Sequence, residues 1–267
     1  MAVIGKPFFV VPIALSGMVT DSADPGHPVH ALGEHRDIGT TWKTTTTGDH
    51  WVRGQITAPL GVDFCAVVAA NASPAAQIRV RLGATQAEVD GVAPYDSGVL
   101  DFIATTPADL PEDGLYHSHL EIPAAQTATW FRIDISGQTG IFEAAMLVLG
   151  KRITPSHFYD LDYEQGHQDL GKLDVSRWGI FEEEPGLTWR TLDFVLNWQS
   201  EAELESDFRR LQKHLNSRGI CYCCFDPTDS SYRHARTYMG VARKPMAARG
   251  RRKPRTFAQE FSLLSYI

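Results

Sequence analysis

Along much of this chain apolar and polar positions alternate with period two. Ile78, Val80 and Leu82 share one side of a segment whose other side carries Arg79 and Arg81, and Phe131, Ile133 and Ile135 oppose Arg132 and Asp134. That spacing predicts half-buried β-strands at both places. Further strand-like runs, Asp63 to Asn71, Tyr95 to Gly98 and Ala145 to Gly150, complete a series that reads as the core of an all-β sandwich. Nothing between these strands resembles an active site, so this half reads as a scaffold or a binder.

The flanking text fits the same picture. Lys6 to Thr20 is apolar and strand-like, and Asp24-Pro25-Gly26 and His27-Pro28 supply turns. The Thr-rich stretch from Thr40 to Gly48 suits an exposed strand or hairpin. Ala72-Ser73-Pro74 breaks a strand, and Asp109 to Gly114 is an acidic loop. Lys151-Arg152 and Thr154-Pro155 interrupt the pattern after Gly150, which divides the chain into units 1–152 and 153–267.

The second unit has a different grammar. Phe158 to Tyr163 alternates, Trp189 to Trp198 places Leu192, Phe194, Leu196 and Trp198 on one face, and Glu182 to Gly186 is the turn between strands. Ser200 and Glu203 have the spacing of a reciprocal capping box, and Leu204, Phe208, Leu211 and Leu215 form the apolar stripe of a helix that Gly219 can close. Ile220 to Phe225 then reads as a buried strand, Asp226-Pro227 as a turn and Phe257 to Ile267 as the last strand. The expected fold is mainly β: an all-β sandwich followed by an α+β unit with one amphipathic helix on a sheet or barrel.

With 267 residues, 43% of them hydrophobic and 21% charged, the chain has material for two cores. No apolar run is long enough to span a membrane, and the start lacks a leader pattern, so synthesis in a cytoplasm without membrane insertion is expected. The net charge of −7 hides an asymmetry: Ser231 to Arg255 holds nine Lys or Arg and no acid, which leaves −16 elsewhere. Its run Arg249, Arg251, Arg252, Lys253 and Arg255 has no interleaved aromatics or recognition helix. A loop facing solvent or protein, in head-to-tail contact between identical subunits, fits it better than nucleic-acid binding.

Candidate chemistry is sparse. Cys221, Cys223 and Cys224 crowd into one strand, where small buried hydrophobes are the plain reading and a zinc or iron–sulfur site the sharper one. His117 and His119 share a strand face that suits a metal or an exposed edge; His30, His35 and His50 scatter through a polar segment with Asp37 and Asp49. Asp160, Asp162 and Glu164 alternate as calcium ligands do, and equally as the solvent face of a strand. Trp42 and Trp51, with Asp49, Asp37 or Arg53 as polar partners, could stack on a sugar or plug the sandwich. Trp189 and Trp198 have opposite strand parity, which sends at least one toward an interface. No phosphate loop, nucleophile elbow or His-Glu-x-x-His is present, so neither an enzyme nor a cofactor is expected.

Two sets of residues carry a family likeness. Thr41-Trp42, the Asp63-Phe64 strand ending at Asn71, Arg79-Val80-Arg81-Leu82, Tyr95-Asp96-Ser97-Gly98 and Trp130 to Ile133 resemble discoidin-like, galactose-binding-type jelly rolls. Trp189-Arg190, the Ser-x-x-Glu helix, Asp226-Pro227 and Tyr238-Met239-Gly240 resemble the ring-forming domain of distal tail proteins of tailed bacteriophages. The resemblance implies a non-enzymatic virion protein made in a host cytoplasm. It would form a homo-oligomeric ring, commonly a hexamer, between the tail tube protein and the baseplate hub or tail-tip proteins, with DNA passing through the lumen. A module recognising host glycans through Trp42, Trp51 and Asp49 is the alternative that the jelly-roll likeness implies. The cysteine strand and the arginine-rich loop depart from the family pattern and leave redox chemistry and DNA contact open.

Overall fold

The computed structural model describes residues 5–57, 61–103, 114–160, 162–179, 181–184, 186–228, 232–251 and 253–267. Three antiparallel sheets stack on one another, and a helix covers the last. The outer sheet has six strands, with Leu15–Thr20, His50–Ile56, Trp130–Ser136, Gln77–Gly83 and Tyr95–Asp96 side by side and Leu100–Asp101 also paired to Gln77–Gly83. The middle sheet has four: Trp42–Thr47, Ile141–Gly150, Val62–Ala70 and Leu120–Gln126. Between them lies the jelly-roll core, where Val80, Leu82, Phe131 and Ile133 meet Cys65, Val67, Phe142 and Leu147.

The period-two strands belong to the outer sheet, whose far side meets solvent. The middle sheet is covered on both sides, because Phe64, Ala66, Val68, Met146 and Val148 face away from the sandwich core into a second apolar layer. This burial accounts for the nearly continuous apolar text of Val62–Ala70 and Ile141–Gly150: a strand with two buried faces has no polar side to show.

The third sheet has eight strands, in the order Arg152–Ile153, Phe8–Val10, Cys221–Cys224, Thr237–Ala242, Thr256–Ser265, Thr188–Ser200 and Glu164–Asp169, with Ala248–Gly250 also on Thr256–Ser265. Phe8, Val10, Tyr222, Cys224 and Met239 press one face onto the middle sheet. On the other face Leu204, Phe208, Leu211 and Leu215 of the helix cover Phe9, Phe194, Cys221, Cys223 and Phe261.

Several local expectations are revised. The apolar stretch from Lys6 to Thr20 is two strands in two sheets: Phe8 lies opposite Cys224 and Val10 opposite Tyr222, whereas Leu15 lies opposite Ile56. Pro12 between them has no N–H for a ladder, which suits a crossing segment. Phe158 to Tyr163 is not a continuous strand: Tyr159 makes one antiparallel bridge to Leu196, the Asp160 N–H donates to the Val195 carbonyl at 3.0 Å, and the regular strand starts at Glu164, with Tyr159 and Tyr163 both against Phe225, at 4.2 and 5.0 Å between ring centroids. Only half of the capping box at Ser200 forms. The Ser200 hydroxyl accepts from the Glu203 N–H at 3.2 Å, but the Glu203 carboxylate turns to Ser156 and accepts from its N–H at 2.9 Å. Leu204–Phe208 is a π-helical turn between Glu201–Glu203 and Arg209–Asn216, and Arg218 (φ 60°), rather than Gly219, takes the left-handed closing position.

Candidate functional site

On the solvent side of the six-stranded sheet, Arg132 stands directly opposite Arg53 on one neighbour and Arg81 on the other, which makes a row of three guanidiniums across three strands. Like charges in such a row repel. Two carboxylates hold it together. Asp90, at the end of the short helix Gln86–Asp90, accepts from Arg53 and from Arg132 (2.7 Å), and Asp134 accepts from Arg132 (2.9 Å) and Arg81 (2.6 Å). Asp96 takes the neighbouring Arg79, whose Nε lies 2.9 Å from it. Trp51 lies against this lattice, its ring 5.2 Å from the Arg53 guanidinium and 4.7 Å from that of Arg132. Burial opposes the charge on Asp90, but Arg132 and Arg53 outweigh it and hold the carboxyl below its usual range; the Arg79 hydrogen bond does the same for Asp96. Four arginines face three aspartates in this lattice, and Asp21 accepts from the Trp51 backbone N–H at 2.9 Å beside it.

The other sugar-site candidates separate from Trp51. Trp42 is 1% exposed in the sandwich core, edge-on to Phe142, with its indole N–H donating to the Ser22 carbonyl at 3.0 Å. It plugs the sandwich and offers no stacking face, which corrects its assignment as a platform. Asp49 is exposed, and its carboxylate lies 3.3 Å from the Gly137 N–H, which it accepts.

Cys221 and Cys223 face the helix, Cys224 faces the middle sheet, and Cys65 sits in the sandwich core, so the sulfurs do not converge. Among the described residues no cluster of three or more His, Cys, Asp or Glu has metal-holding geometry. Burial pushes the thiols of Cys65, Cys221 and Cys224 up to about 12 and raises that of Cys223 well above its ordinary value, which keeps them protonated at neutral pH.

His117 and His119 do not lie on an exposed edge. They sit at the seam between the middle and third sheets. The His117 Nδ1 accepts from the Ala69 N–H at 2.9 Å, and its ring stacks on His234 at 4.2 Å; His119 packs against Phe8 and Phe64 with Glu121 3.1 Å from its Nε2. His35 and His50 hold structure too, at 2.8 Å from the Leu147 carbonyl and 3.0 Å from Asp21 respectively. Asp160 pairs with Asn197 rather than lining up with Asp162 and Glu164.

Among the described residues, exposed apolar side chains gather on a hairpin, Lys172–Val175 with Phe181–Glu184, whose two strands pair with each other and which leaves the third sheet beside Thr188. Its tip turns at Ser176–Gly179, where the Gly179 N–H reaches the Ser176 carbonyl at 2.9 Å and Gly179 holds φ 76°. Trp178 is 76% exposed, Phe181 70% and Leu187 69%, with Val175 and Leu170 also open. At the neck the backbones of Gly171 and Gly186 meet so closely that a Cβ on either would collide with the other.

At the opposite end of Thr188–Ser200 the pairing with Thr256–Ser265 slips between Leu196 and Gln199. Trp198 sits in this bulge with φ 64°, a strained value for a bulky side chain that costs on the order of 1–3 kcal/mol. The bulge removes Trp198 from the Leu192, Phe194 and Leu196 face where alternation placed it, and leaves it 57% exposed. A hollow of about 500 Å³ lies beside it, lined by Asp160, Asn197, Trp198, Arg251 and Lys253. Arg251 donates to the Asn197 amide oxygen, and the Asn197 amide nitrogen donates to Asp160. Of the remaining basic-run residues, Arg249 lies on the Ala248–Gly250 strand, Arg255 is 3.4 Å from Glu201, and Arg252 lies outside the described residues.

No protein-family model and no curated protein matches the sequence. Solved structures with some likeness include chitosan-binding module 1 from a chitosanase/glucanase of Paenibacillus sp. IK-5, at TM-score 0.39 and 11% identity over 53% of this chain and 98% of that one. Another is an F-lectin (fucolectin) from serum of the striped bass Morone saxatilis, at TM-score 0.39 and 11% identity over 97% of this chain and 96% of that one. A chain of the complex of reduced XRCC1 with the DNA polymerase β catalytic domain gives TM-score 0.37 and 12% identity over 52% of this chain and 98% of that one. Likeness this weak says nothing about what the chain binds.

Sequence reading singled out Trp51 and Arg53 but missed Arg81, Arg132, Asp134 and Asp90 as their companions. Parity along the strands puts the first three on the solvent side, but only the register brings them into adjoining rows. Asp90 had a readable signal. Thr85 and Glu88 form a full capping box that starts its helix, with the Thr85 hydroxyl accepting from the Glu88 N–H at 3.3 Å and the Glu88 carboxylate accepting from the Thr85 N–H at 3.2 Å.

Proposed function

We propose that this protein is a non-catalytic assembly protein of a tailed-phage virion, whose copies join into a closed ring between the tail tube and the baseplate hub. The observation that carries the reading is the projecting hairpin. A lone two-stranded hairpin with Trp178, Phe181, Val175 and Leu187 open to water gains little from its own fold. Covered by another copy, the exposed 76% of Trp178 and 70% of Phe181 would each remove roughly 105–190 Å² from water, on the order of 3–5 kcal/mol apiece at ~25 cal/mol per Å² before the cost of association. Six copies is the number that the distal-tail likeness suggests, with the jelly roll as a rigid outer module. Light scattering and negative-stain microscopy of the purified chain test the reading: a ring of several copies supports it, and a monodisperse monomer at tens of micromolar refutes it. The double variant Trp178→Ala/Phe181→Ala is expected to give monomers with an unchanged circular-dichroism spectrum.

A second reading is favoured by the Trp51 surface. An aromatic ring beside Arg53 and Arg132 on the open sheet of a jelly roll suits a glycan carrying carboxylates, with the ring against the sugar face and guanidiniums on the acid. The two readings are compatible, since the Trp51 sheet and the hairpin belong to different sheets.

A further inference from the structure

We propose that the hollow beside Trp198 is the receptor for the apolar hairpin of a neighbouring copy of this chain. The inference rests on the ring reading and adds to it the place where the hairpin docks. The first argument is position. The hairpin leaves the third sheet at Thr188, and Trp198 lies toward the far end of that same strand. About ten residues at ~3.3 Å each separate them by roughly 33 Å, so a copy cannot fill its own hollow. Made one way, a contact between opposite ends of one strand is heterologous and closes into a ring or runs on as a filament; made reciprocally, it would give a two-fold dimer instead.

The second argument is charge. Residues 170–187 carry Asp174, Glu182, Glu183 and Glu184 against Lys172 and Arg177, a net −2. The hollow's lining carries Arg251 and Lys253 against the single acid Asp160, and both cations belong to the segment Ser231 to Arg255, which holds nine cations and no acid. An acidic hairpin with an aromatic tip thus meets a cationic hollow with an aromatic wall. The third is the form of the hollow. The chain holds Trp198 outward in a strained conformation, and the bonds from Arg251 to Asn197 and from Asn197 to Asp160 fix the floor next to it. A wall built in advance in this way loses little side-chain freedom when an aromatic residue packs against it.

The experiment is a charge exchange on the full chain, read by sedimentation velocity and light scattering. Arg251→Glu/Lys253→Glu is expected to weaken assembly on the order of tenfold or more. Asp174→Lys/Glu184→Lys, on the exposed hairpin, is expected to do the same. Combining all four substitutions is expected to restore assembly, a rescue that simple misfolding cannot produce. Trp198→Ala, which leaves the fold intact because the side chain is outside the core, is expected to dissociate the wild-type assembly. If the hollow variants assemble like wild type while Trp178→Ala/Phe181→Ala falls to monomers, the ring reading survives and the hollow is not the receptor. A wild-type chain that stays monomeric overturns both.

Discussion

The first strand of the chain should be indispensable to the last sheet. Phe9 is fully buried in that sheet's helix-side core, with its ring 4.6 Å from Phe261, 6.0 Å from Phe194 and 6.3 Å from Phe208. Truncating a buried phenylalanine to alanine costs about 3–5 kcal/mol, and each lost aromatic pair about 0.5–1.5 kcal/mol; since the two overlap, ~4–5 kcal/mol is expected for Phe9→Ala. Against a typical stability of about 5–15 kcal/mol this is a large fraction, and at a urea m-value near ~2 kcal/mol/M it lowers the midpoint by about 2 M. The assay is urea unfolding followed by tryptophan fluorescence and circular dichroism, with the m-value as the check that only stability changed. A fragment of residues 153–267 extends the test. It exposes the edge of Cys221–Cys224 that Phe8–Val10 covers, so it should stay unfolded alone and fold when a peptide of residues 5–14 is supplied as a strand. A loss below ~1 kcal/mol for Phe9→Ala, or a 153–267 fragment that folds without the peptide, would refute the reasoning.

Two other expectations follow from the surfaces and the seam. Burial holds His35, His117 and His119 below the ordinary imidazole value, so the unfolded chain takes up protons there more readily than the folded one; their stabilisation is full above pH ~6.5 and is lost as pH falls below it. Urea midpoints measured between pH 8 and pH 5 should therefore decrease, and a flat profile would count against a neutral seam. If the Trp51 surface binds glycans, calorimetry with uronate-bearing oligosaccharides should show binding that Trp51→Ala abolishes and rising salt weakens, whereas neutral glycans bind no better than buffer.

Much of the fold was legible as period and punctuation. Ile78–Val80–Leu82 and Phe131–Ile133–Ile135 declared an outer sheet because one of its faces meets water and the other a core, and the Leu204, Phe208, Leu211 and Leu215 stripe declared a helix for the same reason. Gln77–Gly83 and Trp130–Ser136 fell where alternation put them, and Val62–Ala70 and the end of Ile141–Gly150 where unbroken apolar text put them, but His50–Ile56 was not read as a strand. The α+β character of the second half was readable from the helix cap and the buried strand that follows it. Misreadings cluster where tertiary contact overrides local pattern. Trp198 left its predicted face because a bulge turned it out, Phe158 to Tyr163 kept a single bridge, Tyr159 to Leu196, while both tyrosines pack on Phe225, and Glu203 left the capping box for Ser156.

The sequence by itself determined that this is a mainly β protein with one amphipathic helix, with cysteines in a buried strand, a basic segment near the end and no catalytic constellation among its motifs. It could do so because burial on one face leaves a periodic trace in the order of residues. Only the tertiary structure decided that Phe8–Val10 belongs to the last sheet and that three arginines share a row braced by Asp90. It also set the apolar hairpin and Trp198 at opposite ends of one strand. Those facts depend on register and on partners far apart in the chain, and alternation along a strand carries no record of which strand lies beside it.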